Sequence, residues 1–204
     1  MCNDMILLGP IVRLQVQEAS LKVGQPPRQR YVPAPLRAVP ALEVTVDGVR
    51  GVTDTGEFLL DVHHRGHPSS KNRRGVNGIS LGFTSHYDAM RAYFGPHLTD
   101  GIAGENLLIA TDQVIGEEDL APGLAIVTSD GNQVLLMDIV PAAPCAEFSR
   151  FALRFPEDKR SDGTVTEALQ FLSDGVRGYY ARYHGPATRI AVGNLVYLCQ
   201  GRTW

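Results

Sequence analysis

The strongest constraint on this chain is the recurrence of short alternating apolar runs broken by glycine and proline. Val12, Leu14 and Val16 alternate with Arg13, Gln15 and Gln17, the two-residue period of a half-buried strand. Leu42, Val44 and Val46 repeat the pattern and end at Asp47-Gly48, a turn dipeptide. Residues 107–110, 124–128, 133–140 and 189–198 read as further strands, and Asp130-Gly131 makes 124–140 a hairpin. A Pro- and Arg-rich stretch over 26–40 reads as an extended surface connection. Many short strands with tight turns predict a mainly β fold, a barrel or a sandwich.

Two helices interrupt this pattern. Ser85 and Asp88 have capping-box spacing, Tyr87, Met90 and Phe94 share a face, and Gly95-Pro96 stops the run. Thr164 and Glu167 form a second box, followed by the stripe Val165, Leu169, Leu172 and a stop at Gly175. No repeat or low-complexity segment divides the chain, so 1–204 reads as a single domain.

Composition narrows the classes. With 44% hydrophobic and 20% charged residues the chain can bury a sizeable core, and a net charge of -3 argues against a general nucleic-acid binder. Asp4 stands where a signal peptide would carry basic residues, and no apolar run approaches the roughly 20 residues of a membrane helix. Cys2, Cys145 and Cys199 lie far apart with no CxxC pair, which predicts free thiols in a reducing, cytoplasmic setting.

Cys145, in PAAPCAEF, is the first candidate for chemistry. Pro144 holds Ala143 extended, and Phe148, Phe151 and Phe155 recur at helical spacing, so Cys145 is expected at a helix start. Unpaired backbone N–H groups there stabilise a thiolate, the nucleophilic and metal-binding form. The competing interpretation is a small buried hydrophobe.

The segment from His63 to Arg74 holds three of the six histidines and four of the nineteen Lys and Arg residues. Arg65, Lys71, Arg73 and Arg74 around Gly66 could cradle a phosphate. Asp61 and His63 would share one face of an extended piece, whereas Gly66 and Pro68 argue against a helical His63/His67 metal site. A solvated basic loop is the alternative. In GIAGENL, Glu105 offers a carboxylate and Asn106 an amide, though such a loop is often purely structural. GxGxxG, GxxxxGK[ST], HExxH and GxSxG are absent, and no local signature pairs Cys145 with His86, His97 or His184 as a hydrolase.

In order, GIAGENL, an apolar strand, LAPGLAIV and a hairpin strand ending in PAAPCAEF resemble the MOSC domain, the C-terminal domain of molybdenum cofactor sulfurases and of standalone bacterial proteins. VDGVRGVTDTGEFLLDVHH is similar to the family's approach to a Gly-Asp-x-His element, with Leu60 in place of the glycine. NRRGVNGISLGFTSHYDAM resembles the arginine, strand and helix that follow. GVRGYYARYHGPATRIAVGNLVYL resembles the closing Arg-Gly-Tyr and glycine-turn strand, with Asn194 where aspartate is common.

The resemblance implies a mixed β-barrel, similar to the pyruvate-kinase-type barrel, that binds the molybdenum cofactor, molybdopterin. It puts the family's cysteine role on Cys145, as molybdenum ligand or persulfide carrier. It makes Asp61, His63, Arg73, Arg74, Glu105 and Asn106 the expected cofactor contacts. Three functions stay open. The first is an oxidoreductase that reduces N-hydroxylated small-molecule substrates with an electron-donor partner. The second is a sulfur carrier served by a cysteine desulfurase, since 204 residues leave no room for a pyridoxal-phosphate domain. The third is a non-catalytic pterin or anion module. A homodimer fits any of them, and neither nucleic acid nor membrane is expected as a partner.

Overall fold

The structure, a computed structural model, describes Cys2 and residues 4–26, 28–72, 75–156 and 163–200. Its strands are β1 (Met5–Gln17), β2 (Lys22–Val23), β3 (Arg30–Tyr31), β4 (Leu36–Ala38), β5 (Ala41–Thr45), β6 (Gly48–Val52) and β7 (Phe58–Leu60). Then come β8 (Ile79–Phe83), β9 (Leu107–Ile109), β10 (Leu124–Val127), β11 (Gln133–Pro141), β12 (Tyr179–Arg182), β13 (Thr188–Ala191) and β14 (Leu195–Cys199). The helices are α1 (Thr84–Phe94), α2 (Glu117–Leu120), α3 (Ala146–Ala152) and α4 (Gly163–Phe171).

Strand β1 is the spine. It pairs with β14 near its start, with β9 at its middle and with β4 at its end, and it can do so because its register shifts between Leu7 and Gly9 and between Ile11 and Arg13. Such bulges bend a strand and reset which side chains face inward. Val12 therefore points outward at 42% exposure, while Ile11, Leu14 and Val16 are buried. The regular alternation expected across Val12 fails at the bulge.

The ring β14-β10-β11-β12-β8-β9-β1 closes through the β1–β14 pairing into a seven-stranded mixed barrel. The β8–β9 pair is parallel and the other ring pairings are antiparallel. Closure removes exposed sheet edges. The barrel is filled by Ile11, Leu14, Leu81, Phe83, Leu107, Ile109, Leu124, Ile126, Leu136 and Val196. A separate four-stranded sheet, β13-β5-β6-β7, packs beside it. The mainly β barrel with a few short helices is the fold expected from the sequence.

The 124–140 hairpin forms as β10 and β11, with Gly131 at φ 82 in the turn. The single strand expected over 189–198 is instead two. β13 joins the small sheet and β14 the barrel, because Gly193 at φ 91 turns the chain between them. Gly95, at φ 113, ends α1 as expected, its N–H bonding Arg91 O.

Neither capping box forms as expected. Phe83 is the α1 N-cap without a side-chain hydrogen bond, the Ser85 hydroxyl is inside the helix, and Asp88 pairs instead with Arg91 at 2.8 Å. Thr164 likewise lies within α4, not ahead of it. The expectation of three free thiols also fails. Cys2 and Cys199 are disulfide-bonded with Cα atoms 5.7 Å apart, a normal span for the bridge, which leaves Cys145 as the free cysteine among the described residues. Antiparallel pairing of β1 with β14, which sets Met5 opposite Cys199, brings these distant residues together. Among the described residues no helix is long and apolar enough to cross a membrane.

Candidate functional site

The second apolar cluster lies outside the barrel and carries the site. Tyr31, Tyr87, Met90, Leu98, Phe148, Ala152 and Leu172 are buried in it, and Cys145 packs partly buried against it. Strand β11 ends at Pro141, Ala142 N–H bonds Gly178 O at 2.8 Å, and the extended chain then delivers Cys145 as the N-cap of α3. This is the helix-start position expected from the prolines and the phenylalanine spacing. The Cys145 carbonyl accepts from Ser149 N–H at 3.0 Å and from its hydroxyl at 3.1 Å, which fixes the backbone and leaves the thiol half-buried.

The β2–β3 ladder sets Lys22 opposite Tyr31 and brings both to α3. The Lys22 ammonium is 2.8 Å from the carboxylate of Glu147, two residues along from Cys145 in the first turn of α3. Burial works to lower the Lys22 pKa, but Glu147 and Cys145 override it and raise it. A second cation stands nearby: Lys71 donates to the Ser20 hydroxyl, and burial followed by repulsion from Lys22 lowers its pKa. Two lysines close enough to repel each other beside a thiol make an anion-attracting corner. Arg177 closes the other side, donating to Ala103 O and lying 4.9 Å over the Phe148 ring.

Asp61, His63 and Asn106 do come together, as a buried clasp. Asp61 is fully buried and accepts from Gln17 N–H at 2.7 Å, His63 N–H at 2.8 Å, His63 Nδ1 at 3.1 Å and Asn106 Nδ2 at 2.9 Å. Asn106 Oδ1 accepts from both Ser80 N–H and Ser80 Oγ, and its Nδ2 also reaches Gln15 O. With these bonds made, Asp61 and Asn106 hold β1, β8 and the 61–72 loop in place rather than facing a ligand.

Glu105 turns the other way, into a cavity of about 20 Å³ lined by Gln17, Gly104 and Arg177, room for about one water. Its Oε2 accepts from Tyr87 OH at 3.0 Å, while its buried Oε1 has no hydrogen-bond partner among the described residues. Burial raises the Glu105 pKa, opposed by Arg177, Tyr87 and Arg13. Arg73 and Arg74 lie outside the described residues.

The GIAGEN loop is held by side chains whose alternation suggested outward-facing residues. Gln15 is buried and donates to Gly101 O at 2.6 Å and Glu105 O at 2.8 Å, and Gln17 donates to Gly104 O at 2.6 Å. Gly104, at φ 92, has Leu21 Cδ1 2.7 Å from where a Cβ would sit, so no other residue fits there easily.

The three histidines considered as hydrolase partners are engaged elsewhere. His86 is buried with Nε2 on Ile115 O, His97 Nε2 bonds Ala152 O, and His184 sits 3.8 Å from Asp138. Among the described residues no group of three His, Cys, Asp or Glu converges to hold a metal ion. Sequence reasoning missed Lys22, Tyr31 and Glu147, which carry no motif and meet only through the β2–β3 ladder and α3. Arg177 was in view within the Arg-Gly-Tyr run but was given no role.

No family model matches the chain. A trigger factor from Nitrobacter hamburgensis (strain DSM 10229 / NCIMB 13809 / X14) is 27% identical over 152 residues, 72% of this chain and 33% of that protein. The chain thus spans about a third of the length of the curated relative it matches. Among solved structures, the YuaD protein from Bacillus subtilis aligns with a TM-score of 0.57 and 12% identity, covering 95% of this chain and 96% of that one. A protein described as hypothetical aligns at 0.54 and 11%, covering 97% and 70%. YiiM from Geobacillus stearothermophilus aligns at 0.45 and 16%, covering 98% and 78%. The first two likenesses are of fold alone.

Proposed function

We propose that this chain is a MOSC-type protein that binds the molybdenum cofactor, with Cys145 as the protein's ligand to the metal, and reduces N-hydroxylated compounds. The observation that carries this reading is the half-buried Cys145 thiol at the α3 N-cap, with Lys22 held by Glu147 two residues along and Lys71 close by. The residues fit the group. A thiolate is a soft ligand suited to molybdenum, and two lysines suit the cofactor's anionic phosphate. When bound, the cofactor would supply two-electron redox chemistry.

The chain's own residues do the rest. Lys22 holds positive charge against the thiol, Glu147 orients Lys22, and the Asp61–Asn106 clasp keeps the surrounding loops in register. Reduction of an N-hydroxyl group to N–H takes up two electrons and two protons and releases water. The electrons come from a separate donor protein.

Protein from a cofactor-competent host is expected to contain about one molybdenum and one pterin per chain, with the metal lost in Cys145→Ala. Full molybdenum in that variant would overturn the reading. The same lysine pair also suits a persulfide anion, which is why sulfur transfer is the second reading. Incubation with a cysteine desulfurase would then add about 32 Da to Cys145, and no adduct under turnover would eliminate it.

A further inference from the structure

Beside α3 lies a second cavity, of about 450 Å³, a normal size for a small-molecule pocket. Its lining is unusual for a chain of net charge -3. Four arginines, Arg28, Arg30, Arg150 and Arg154, face it, and among the described residues its one acid is Glu147, already paired with Lys22. Arg28 and Arg154 make no ion pair among the described residues.

Apart from Gln29, the rest of the lining is aromatic. Tyr31 and Phe151 lie with ring centroids 5.2 Å apart, and the Arg150 guanidinium sits 4.5 Å over the Phe155 ring. The Tyr31 hydroxyl donates to Ile102 O at 2.6 Å and is occupied there. Arg154 holds φ 51, a left-handed value rare for a side chain of its size, and lines the cavity from the turn that ends α3. Flat rings together with forked cations recognise a flat anion: guanidinium groups bind a carboxylate or phosphate, and aromatic faces stack on the ring that bears it.

We propose that this cavity binds a planar aromatic compound carrying a carboxylate or phosphate group. Its position links it to the reacting centre. Glu147 lines the cavity, holds Lys22 at 2.8 Å and lies two residues from Cys145, so a bound ring would lie beside the turn of α3 that carries that thiol. As a substrate pocket it rests on the reading of Cys145 given above, whereas as a binding site it depends only on the arginines and rings.

The test is a titration of the purified chain with 2-naphthoate and 2-naphthyl phosphate, with neutral 2-naphthalenemethanol and inorganic phosphate as controls. Saturable binding of one or both aromatic anions is expected, with each control at least about tenfold weaker. Arg28→Gln and Arg154→Asn, the latter tolerant of the left-handed backbone, should each weaken binding about tenfold. Equal binding of the neutral alcohol, no saturation by either anion, or affinity unchanged in both folded arginine variants would overturn the proposal. Cys145→Ala should bind the anions as the parent does. Full molybdenum retained in Cys145→Ala would therefore count against the Cys145 reading alone, and failure of the parent to bind either anion against the pocket alone.

Discussion

At the scale of single residues, the structure gives two buried acids, Asp61 and Glu105, different tasks. Asp61 satisfies four donors from three parts of the chain. Asp61→Ala strands those buried donors and should cost roughly 3 kcal/mol or more, read as a fall in the urea midpoint. Glu105 behaves oppositely. Burial raises its pKa above the ordinary 4.5, so the folded state binds the proton more readily than the unfolded chain. Its contribution to stability is then full below that ordinary value and is lost as pH rises through the folded value. Glu105→Gln should therefore gain stability relative to the parent as pH rises from about 4 to about 8, measured by denaturant unfolding. Parallel curves for the two proteins would contradict this.

At the scale of elements, α3 holds the site by packing. Phe148 is fully buried, meets Tyr31 at 5.1 Å in an edge-on contact and carries Arg177 over its ring. Phe148→Ala should cost about 3–5 kcal/mol and release Tyr31 and Arg177 together, seen as a lower thermal midpoint. Phe148→Leu, which keeps most of the volume, should cost less. The place of α3 was legible in the sequence because proline geometry and helical spacing are local signals. The capping boxes misled because Ser85 and Thr164 sit inside their helices, not ahead of them as the spacing implied. Lys22 and Glu147 were invisible for a different reason: their meeting depends on tertiary placement of a two-residue strand.

At the scale of the whole molecule, the barrel was predictable from the density of short strands and turns, but its closure was not. Closure depends on β1 pairing with both β9 and β14 across two bulges, and the bulges that exposed Val12 leave no trace in a two-residue period. The same closure brings Cys2 to Cys199. Protein purified without reductant and then unfolded should alkylate at one cysteine, Cys145, and at all three after reduction, counted by mass spectrometry.

The central claim, that Cys145 is the protein's ligand to molybdenum, is tested most directly by X-ray absorption at the molybdenum edge, comparing the parent with Cys145→Ser. The account predicts one fewer sulfur in the metal's coordination shell of whatever molybdenum the variant retains. An unchanged sulfur shell at full metal content would contradict it.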